Sequence, residues 1–586
     1  MVGRKRGRWD DAPRKRRAAP SGAVDVGKGR IMDLSDECLL HVLSFLDAKD
    51  VARAEGACAR FARLGRASAV WRECFVREFV MKRGSLPLDA AIEPLLAHDA
   101  SRKGRALATL PQRYQLGRGE VPSVQPDWRR LYLAWRNWHL GRVRVAALGD
   151  VPAQQKEGRS DTHASDTLVQ ASPNLVFTAP RTGARALPDV TPDALVAALP
   201  YVSVFLADAP SSERHLPLAR LQPYALAEAI ADAAQRDAAL LAFLQKHGLA
   251  LTEMRLEHTA EAWSVRLCLC FQPGVLAVLS VAVRTSLEVH LDHVLLVHGA
   301  ARWRPIRQAA FARQVLVTCT DDFRLQIWHV PRSGAPAMLR ALRSSSSRWP
   351  ASVALRPLAS SAYQLSITYA TPVRGAWTVT LQELLLRLTP AGLEVGSRVA
   401  HASAHANVHG RLPTITSISY DDPYIVIGTD TNVLDVYEVS HAGHAPVAAG
   451  RAASATPRTA NALAIRHLRT LYGHTSRVCS VALSDGRCVS GASDGSVRVW
   501  SMRRPPGEHV ATLHGHVPTP DDRGLLVPLL PYAPSTRATT LAELAREPMH
   551  AYGVIKHVSA AFDHILCITA GRVRPAEQVQ IWHFAS

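Results

Sequence analysis

LYGHTSRVCSVALSDGRCVSGASDGSVRVWS, residues 471–501, is the stretch that decides the fold. A short Gly-His loop precedes three segments of strand character, and the turns between them carry Asp485-Gly486 and Asp494-Gly495. Successive side chains on a strand point to opposite faces, and Asp-Gly is a tight-turn pair, so the stretch reads as a three-strand meander ending at Trp500. The same pattern recurs along the chain. Thr318, Asp322 and Trp328 repeat the Ser490–Asp494–Trp500 spacings of four and six residues. VQIWHF at 579–584 ends another copy, with Thr569 as its hydroxyl, and VLDVYEV at 433–439 puts Tyr437 where the Trp stands. Further period-two stretches lack these markers: WSVRLCLCF, ASVALRP with YQLSITYA and WTVTLQEL, and NLVFTA with YVSVFLA. Third strands are expected at 201–206, 286–291, 325–330, 377–384, 433–439, 497–502 and 579–584.

Residues 471–501 resemble a WD repeat, and a period of this length signals a propeller. The resemblance implies an all-β seven-bladed propeller over 141–586. His474, Ser490, Asp494 and Trp500 would form the family's buried hydrogen-bonded tetrad, a structural set with no catalytic role. The chain stops two residues after Phe584, so the last blade needs a fourth strand from elsewhere. Val143–Leu148 is the candidate, since an open edge is a liability. Relatives that read phosphorylated targets place arginines at the propeller mouth. Here those positions in the best repeat are Ser493 and Cys479, and Asp321 precedes Asp322. Arg477 and Arg307 remain as candidate substrate contacts.

IMDLSDECLLHVLSFL, residues 31–46, reads differently. Leu39, Val42, Leu43 and Leu46 recur at helical spacing, Ser35 is a cap, and Asp36 and Glu37 occupy the first turn. Asp47 caps a second short helix to Glu55, Gly56 breaks it, and a third segment runs towards Leu64. So small a helical unit buries little surface alone and calls for a partner. Together with VWRECFVREF it resembles an F-box, on Leu34, Asp36, Glu37, Leu39, Leu43, Leu46, Asp47, Val51, Cys58, Phe61 and Trp71, with Ser35 where the family usually has Pro. The resemblance implies docking on the Skp adaptor of a Skp–cullin–F-box ubiquitin ligase, with Leu34, Leu39, Leu43 and Leu46 as the apolar contacts.

Between the two modules, DWRRLYLAWRNWHL places Trp128, Leu131, Tyr132 and Trp135 on one helical face, followed by Trp138. That pattern fits a core-packed positioning helix. Insertions are expected at 215–248 and 517–548. The first should be helical, opened by Pro223, striped by Leu226, Ile230, Ala233 and Ala234, and closed by Gly248; both read more as decoration than as binding loops.

The charge is local. The chain carries a net +19, and residues 1–20 hold eight basic and two acidic side chains, residues 101–145 ten and two. These stretches disfavour a nucleic-acid surface running across the whole protein. Arg4, Lys5, Arg6 and Arg8, then Arg14, Lys15, Arg16 and Arg17, read as a bipartite nuclear import signal in a disordered tail over 1–29. No apolar run has the length to span a bilayer, and no signal-peptide core opens the chain. The nine cysteines form no CxxC pair, which fits a reducing compartment, and Cys268 and Cys270 read as apolar filler on one strand face. No Walker, HExxH, GxSxG or zinc spacing occurs. His401, His405 and His409 have ligand-like spacing, but Gly410 and Pro413 argue for strand or loop, so neither metal nor cofactor is expected.

The expected order is therefore a basic tail (1–29), an F-box (30–80), a linker and Trp-rich connector (81–140) and a propeller (141–586). The function it implies is a non-catalytic substrate-recognition subunit of a Skp–cullin–F-box ubiquitin ligase. It would bind adaptor and cullin at one end and a protein target, phosphorylated or not, at the other, in the nucleus and also the cytoplasm. Two other classes stay open: a nuclear WD-repeat scaffold without ligase activity, and an RNA- or chromatin-associated binding protein.

Overall fold

The computed structural model describes residues 31–81, 115–116, 125–140, 143–150, 167–172, 174–181, 186–207, 217–221, 224–258, 263–283, 286–297, 303–343, 349, 351–358, 361–373, 376–390, 392–404, 413–441, 463–484, 486–502, 506–514, 554–561, 564–570 and 577–584. The basic tail and the insertion expected at 517–548 lie outside the described residues, as does most of the linker over 82–127. Two compact units divide the chain at Cys74 and Phe75.

The first unit is helical. A 3-10 turn (Ile31–Asp33) leads into α1 (Asp36–Phe45), α2 (Ala48–Glu55), α3 (Ala59–Gly65) and α4 (Ser68–Phe75). Ser35 Oγ accepts from Cys38 N at 3.3 Å and Asp47 Oδ1 from Asp50 N at 3.0 Å, so both expected caps form. Asp36 does more than favour the helix dipole. Its carboxylate accepts from Arg60 Nε at 2.8 Å and from Arg63 Nη2 at 2.5 Å, which ties α1 to α3. The core is Leu39, Leu43, Val51, Leu64, Val70 and Trp71, and the Trp71 indole donates to Gly65 O at 2.7 Å.

The second unit is almost all strand. Two short strands, β1 (Gln115–Leu116) and β2 (Gln125–Pro126), pair ahead of helix α5 (Trp128–Leu140) and strand β3 (Arg144–Asp150). Among the described residues the remaining strands form seven antiparallel four-stranded units, the second and third of which join through one parallel pair of first strands into a single eight-stranded sheet. The first is β4 (Thr167–Ala171), β5 (Leu175–Pro180), β6 (Val202–Leu206) and β7 (Ala219–Leu221). The second is β8 (Ala250–His258), β9 (Ser264–Gln272), β10 (Val275–Val283) and β11 (Leu287–Leu296). The third is β12 (Ile306–Ala312), β13 (Val315–Thr320), β14 (Arg324–His329) and β15 (Ala337–Arg343). The fourth is β16 (Ala351–Pro357), β17 (Ala362–Val373), β18 (Ala376–Thr389) and β19 (Gly392–Ala404). The fifth is β20 (Ile415–Asp421), β21 (Tyr424–Thr429), β22 (Leu434–His441) and β23 (Leu463–Leu471). The sixth is β24 (Val478–Ser484), β25 (Arg487–Ala492), β26 (Ser496–Ser501) and β27 (Glu508–His514). The seventh is β28 (Val554–Ala560), β29 (His564–Ala570) and β30 (Glu577–His583), completed by β3.

The early strand therefore does close the last unit: Arg144 pairs with His583 and Ala147 with Gln580, antiparallel. Core residues then join the last unit to the first, with Val579 and Ile581 packed among Val169, Val176 and Phe205. First strands of successive units lie side by side, and serines bridge them. Ser417 Oγ accepts from Val481 N and Ser419 Oγ from Leu483 N, both at 3.0 Å; Ser480 Oγ accepts from Val558 N at 3.1 Å. Each bond satisfies a backbone donor on a strand edge that has no ladder partner.

Most expected third strands occupy that place, but 286–291 does not. It lies on β11, the fourth strand, and the third strand of that unit is β10. β10 is buried and apolar from Val275 to Leu279, whereas β11 is half-exposed and looks more strand-like in sequence. The expected insertion at 215–248 is likewise only partly helical. β7 lies within it, followed by two helices: counting α6 at Pro192–Ala198, these are α7 (Tyr224–Arg236) and α8 (Ala238–His247). Asp237 caps α8 through Ala239 N and Leu240 N, both at 3.1 Å, which breaks the helix in two. Leu226, Ile230 and Ala234 are buried as expected, with Ala233 half-buried, and Gly248 ends the pair at φ 72°.

Candidate functional site

The α1 helix is apolar on two sides. Leu39 and Leu43 are buried inside the first unit at 0% and 2% exposure, and Leu46 is half-buried. Leu34 is 41% exposed, joined by Ile31, Val42 at 42% and Phe45 at 68%. Sequence periodicity selected the stripe but did not separate its inner from its outer half. The surface open to a partner is therefore Ile31, Leu34, Val42 and Phe45, while Leu39 and Leu43 hold the helix to its own core. So many large apolar groups on so small a unit mark an interaction face.

The second unit holds its own connector. Trp128, Leu131, Tyr132 and Trp135 are all buried on one side of α5. Phe75 packs on Trp128 and Trp135 at 5.5 and 5.8 Å, and the Tyr132 hydroxyl donates to Glu78. Trp138 stacks on Phe584 at 3.5 Å, Asn137 Nδ2 donates to Phe584 O at 2.9 Å, and the Arg487 guanidinium lies 4.5 Å from both Trp135 and Trp138. The helix is thus fixed to the sixth and seventh units by rings and a cation.

In the sixth unit, His474, Ser490, Asp494 and Trp500 are brought together. Ser490 Oγ is 2.7 Å from His474 Nε2 and accepts from the Trp500 indole at 2.9 Å. His474 Nδ1 lies 3.1 Å from Ser496 Oγ and 3.9 Å from Asp494 Oδ2. Asp494 in turn accepts from Ser496 N at 2.8 Å and Thr475 N at 3.1 Å. Burial opposes the Asp494 charge, yet its bonds from His474, Ser496 and Thr475 outweigh that and hold the carboxyl well below the usual range. Burial lowers the His474 pKa, partly offset by Asp494. Ser496 is a fifth member that the sequence pattern missed; its Ser two residues after the Asp was the available signal.

The fainter repeats keep the aromatic and lose the network. Asp322 is held by Thr320 Oγ1 and Arg324 Nε, both at 2.7 Å, rather than by Thr318 and a histidine. The Trp328 and Trp582 indoles and the Tyr437 hydroxyl have no hydrogen-bond partner among the described residues, and Thr569 Oγ1 donates to Gln578 O instead. His401 lies on β19 beside Thr380 at 2.9 Å, while His405 and His409 lie outside the described residues. Among the described residues no three His, Cys, Asp or Glu side chains are grouped to hold a metal, and no helix is long and apolar enough to cross a membrane.

Arg307 is exposed on β12, and Arg477 precedes β24, where its carbonyl accepts from Ser493 N at 2.9 Å. They stand on the third and sixth units and are not brought together. Five first strands share a register irregularity near their start, leaving Thr252, Arg307, Thr416, Cys479 and Lys556 at the extra position. Lys556 is thus the structural counterpart of Arg307, which sequence spacing did not single out. Burial pushes the Cys479 thiol up, and Arg477 and Lys556 pull against it. Burial, helped by Arg255 and Arg181, pushes the neighbouring His557 down to about 4.

Two known protein families match parts of this chain. Residues 33–77 match an F-box-like family, and residues 230–511 match the β-propeller of the F-box protein pof12. The second match begins within α7 and takes in α8. Among solved structures, a chain of a mitotic checkpoint complex shares 11% identity over 76% of this chain and 95% of its own, with a TM-score of 0.37. The computationally designed Ika8 protein shares 12% identity over 75% and 99%, with a TM-score of 0.32. Curated proteins returned no match. With a helical F-box ahead of a strand-rich propeller, the chain is an F-box/β-propeller protein.

Proposed function

We propose that this chain is the substrate-recognition subunit of a Skp–cullin–F-box ubiquitin ligase, its seven strand units serving as the blades of one propeller. The observation that carries the reading is the outward half of α1: Leu34, Val42 and Phe45 exposed in a unit that matches an F-box-like family. Burying those groups requires a partner, and the Skp adaptor is the one this domain type takes. The propeller then holds the target and raises the local concentration of its lysines near the transfer machinery, which other subunits supply. Arg477 and Lys556 on the sixth and seventh units, both acting on Cys479, favour an acidic or phosphorylated target segment. The two basic clusters within residues 1–20 make the nucleus its proposed place of action.

Co-purification tests the reading. The adaptor and cullin are expected with wild type and lost with Val42→Asp and Phe45→Asp, both at exposed positions. Leu43→Asp is no substitute, because it breaks the domain's own core. Equal recovery with wild type and both outer variants, or none with any, overturns the ligase reading in favour of a scaffold.

A further inference from the structure

α8 and the second strand unit line an open cleft of about 390 Å³, with Ala186, Phe243, Lys246, His247 and Gln272 at its walls. One wall is aromatic. The Phe243 ring stacks on Trp303 with centroids 4.7 Å apart and 25° between planes, and the His247 ring lies 4.7 Å from Phe243. The cleft is also built: Gln272 Nε2 donates to Trp303 O at 3.0 Å, and Leu187 N donates to Leu244 O at 3.1 Å. These bonds tie β9, the segment at Trp303 and α8 around one space.

Its rim carries the Lys246 ammonium. Lys246 and His247 are exposed, and neither is paired with a carboxylate among the described residues. Their place in the last turn of α8 complements the helix dipole, but that leaves the aromatic wall beside them unexplained. A flat ring surface next to an unpaired ammonium suits a ligand that joins a large apolar side chain to an anion. An open cleft of this volume takes one aromatic residue and its neighbours on a peptide.

We propose that this cleft is a second docking site for target proteins. It takes a short acidic segment whose aromatic side chain lies against Phe243, which Trp303 backs, while an adjoining carboxylate pairs with Lys246. The proposal rests on the reading of the propeller as a target receptor. It adds a lateral grip to the one at the first-strand ends.

The test is fluorescence polarisation of the full chain with a fluorescein-labelled Gly-Ser-Asp-Glu-Trp-Glu-Gly-Ser peptide. Wild type is expected to bind it, and Lys246→Glu and Phe243→Ala to weaken binding by about tenfold or more. Arg477→Glu should leave it unchanged, and melting curves should show every variant folded. Versions with Lys for each acid, or Ala for Trp, should bind about tenfold more weakly. No binding by wild type, equal binding of the Lys version, or full affinity in Lys246→Glu overturns the cleft. Adaptor binding measured on the same samples separates the two claims. Loss of the adaptor with the peptide retained overturns only the ligase reading, and the reverse overturns only the cleft.

Discussion

Gly491→Ala tests whether successive strand units pack as tightly as the geometry states. A Cβ at Gly491 would sit 2.4 Å from Ile555 Cγ2, 2.9 Å from Val558 Cγ1 and 3.2 Å from Ile555 Cβ. All three atoms belong to β28, the first strand of the next unit. Carbon atoms are at rest about 3.5–4.0 Å apart, so one added methyl must displace a strand or two rotamers. Overpacking of this kind costs about 1–3 kcal/mol, and the closest distance points to the upper half of that range. Gly396→Ala is the control, since its Cβ would meet only Leu385 Cβ at 3.7 Å, an ordinary contact. Thermal and urea melts should show a clear loss for the first and almost none for the second. A double-mutant cycle sharpens the test. Ile555→Ala alone should cost about 2–5 kcal/mol by opening a cavity. In the double variant the new methyl fills part of that cavity, so the costs should fall short of additive by about 0.5–3 kcal/mol. Equal stability of Gly491→Ala and Gly396→Ala, or strict additivity in the cycle, would refute the close approach of the sixth and seventh units.

Three further outcomes follow from single contacts. Arg266, 2% exposed, lies 3.0 Å from Asp292 and 3.7 Å from Glu257 and donates to Val330 O at 3.1 Å, bridging the second and third units. Arg266→Ala should cost about 3–5 kcal/mol in a denaturant melt, because it strands buried carboxylates. Ser417→Ala removes the acceptor of Val481 N and should cost about 1–3 kcal/mol, with faster amide exchange at Val481 as its local sign. His557 has its folded pKa depressed to about 4, so its contribution is full above its unfolded value near 6.5 and is lost as pH falls towards 4. The loss is about 3 kcal/mol, and stability measured from pH 7 to 4 should fall less steeply in His557→Gln than in wild type. Identical slopes would show that the imidazole titrates freely.

How legible the molecule was depended on how much chemistry each segment must carry. The sixth unit was readable because a buried imidazole, hydroxyl, carboxylate and indole satisfy one another, which fixes both residue types and spacing. Around Asp322 the spacing survived while Thr320 and Arg324 took over the carboxylate, and spacing alone does not report who bonds to whom. The second unit has no such network. Its third strand, β10, is apolar on both faces, so the alternation that marks a strand was stronger in its half-exposed neighbour β11. In α1 the helical period selected Leu39, Val42, Leu43 and Leu46 together, but which of them face the domain's own core is decided by α3, not by α1. Lys556 and Ser496 came into view only through register and through shared partners.

The most direct measurement is the affinity of the purified chain for a purified Skp adaptor by titration calorimetry. Wild type should bind tightly, and the Val42→Asp/Phe45→Asp double variant about a hundredfold or more weaker, with its melting temperature unchanged because both positions are exposed. Equal affinity in the folded double variant, or no heat of binding with wild type, would contradict the account.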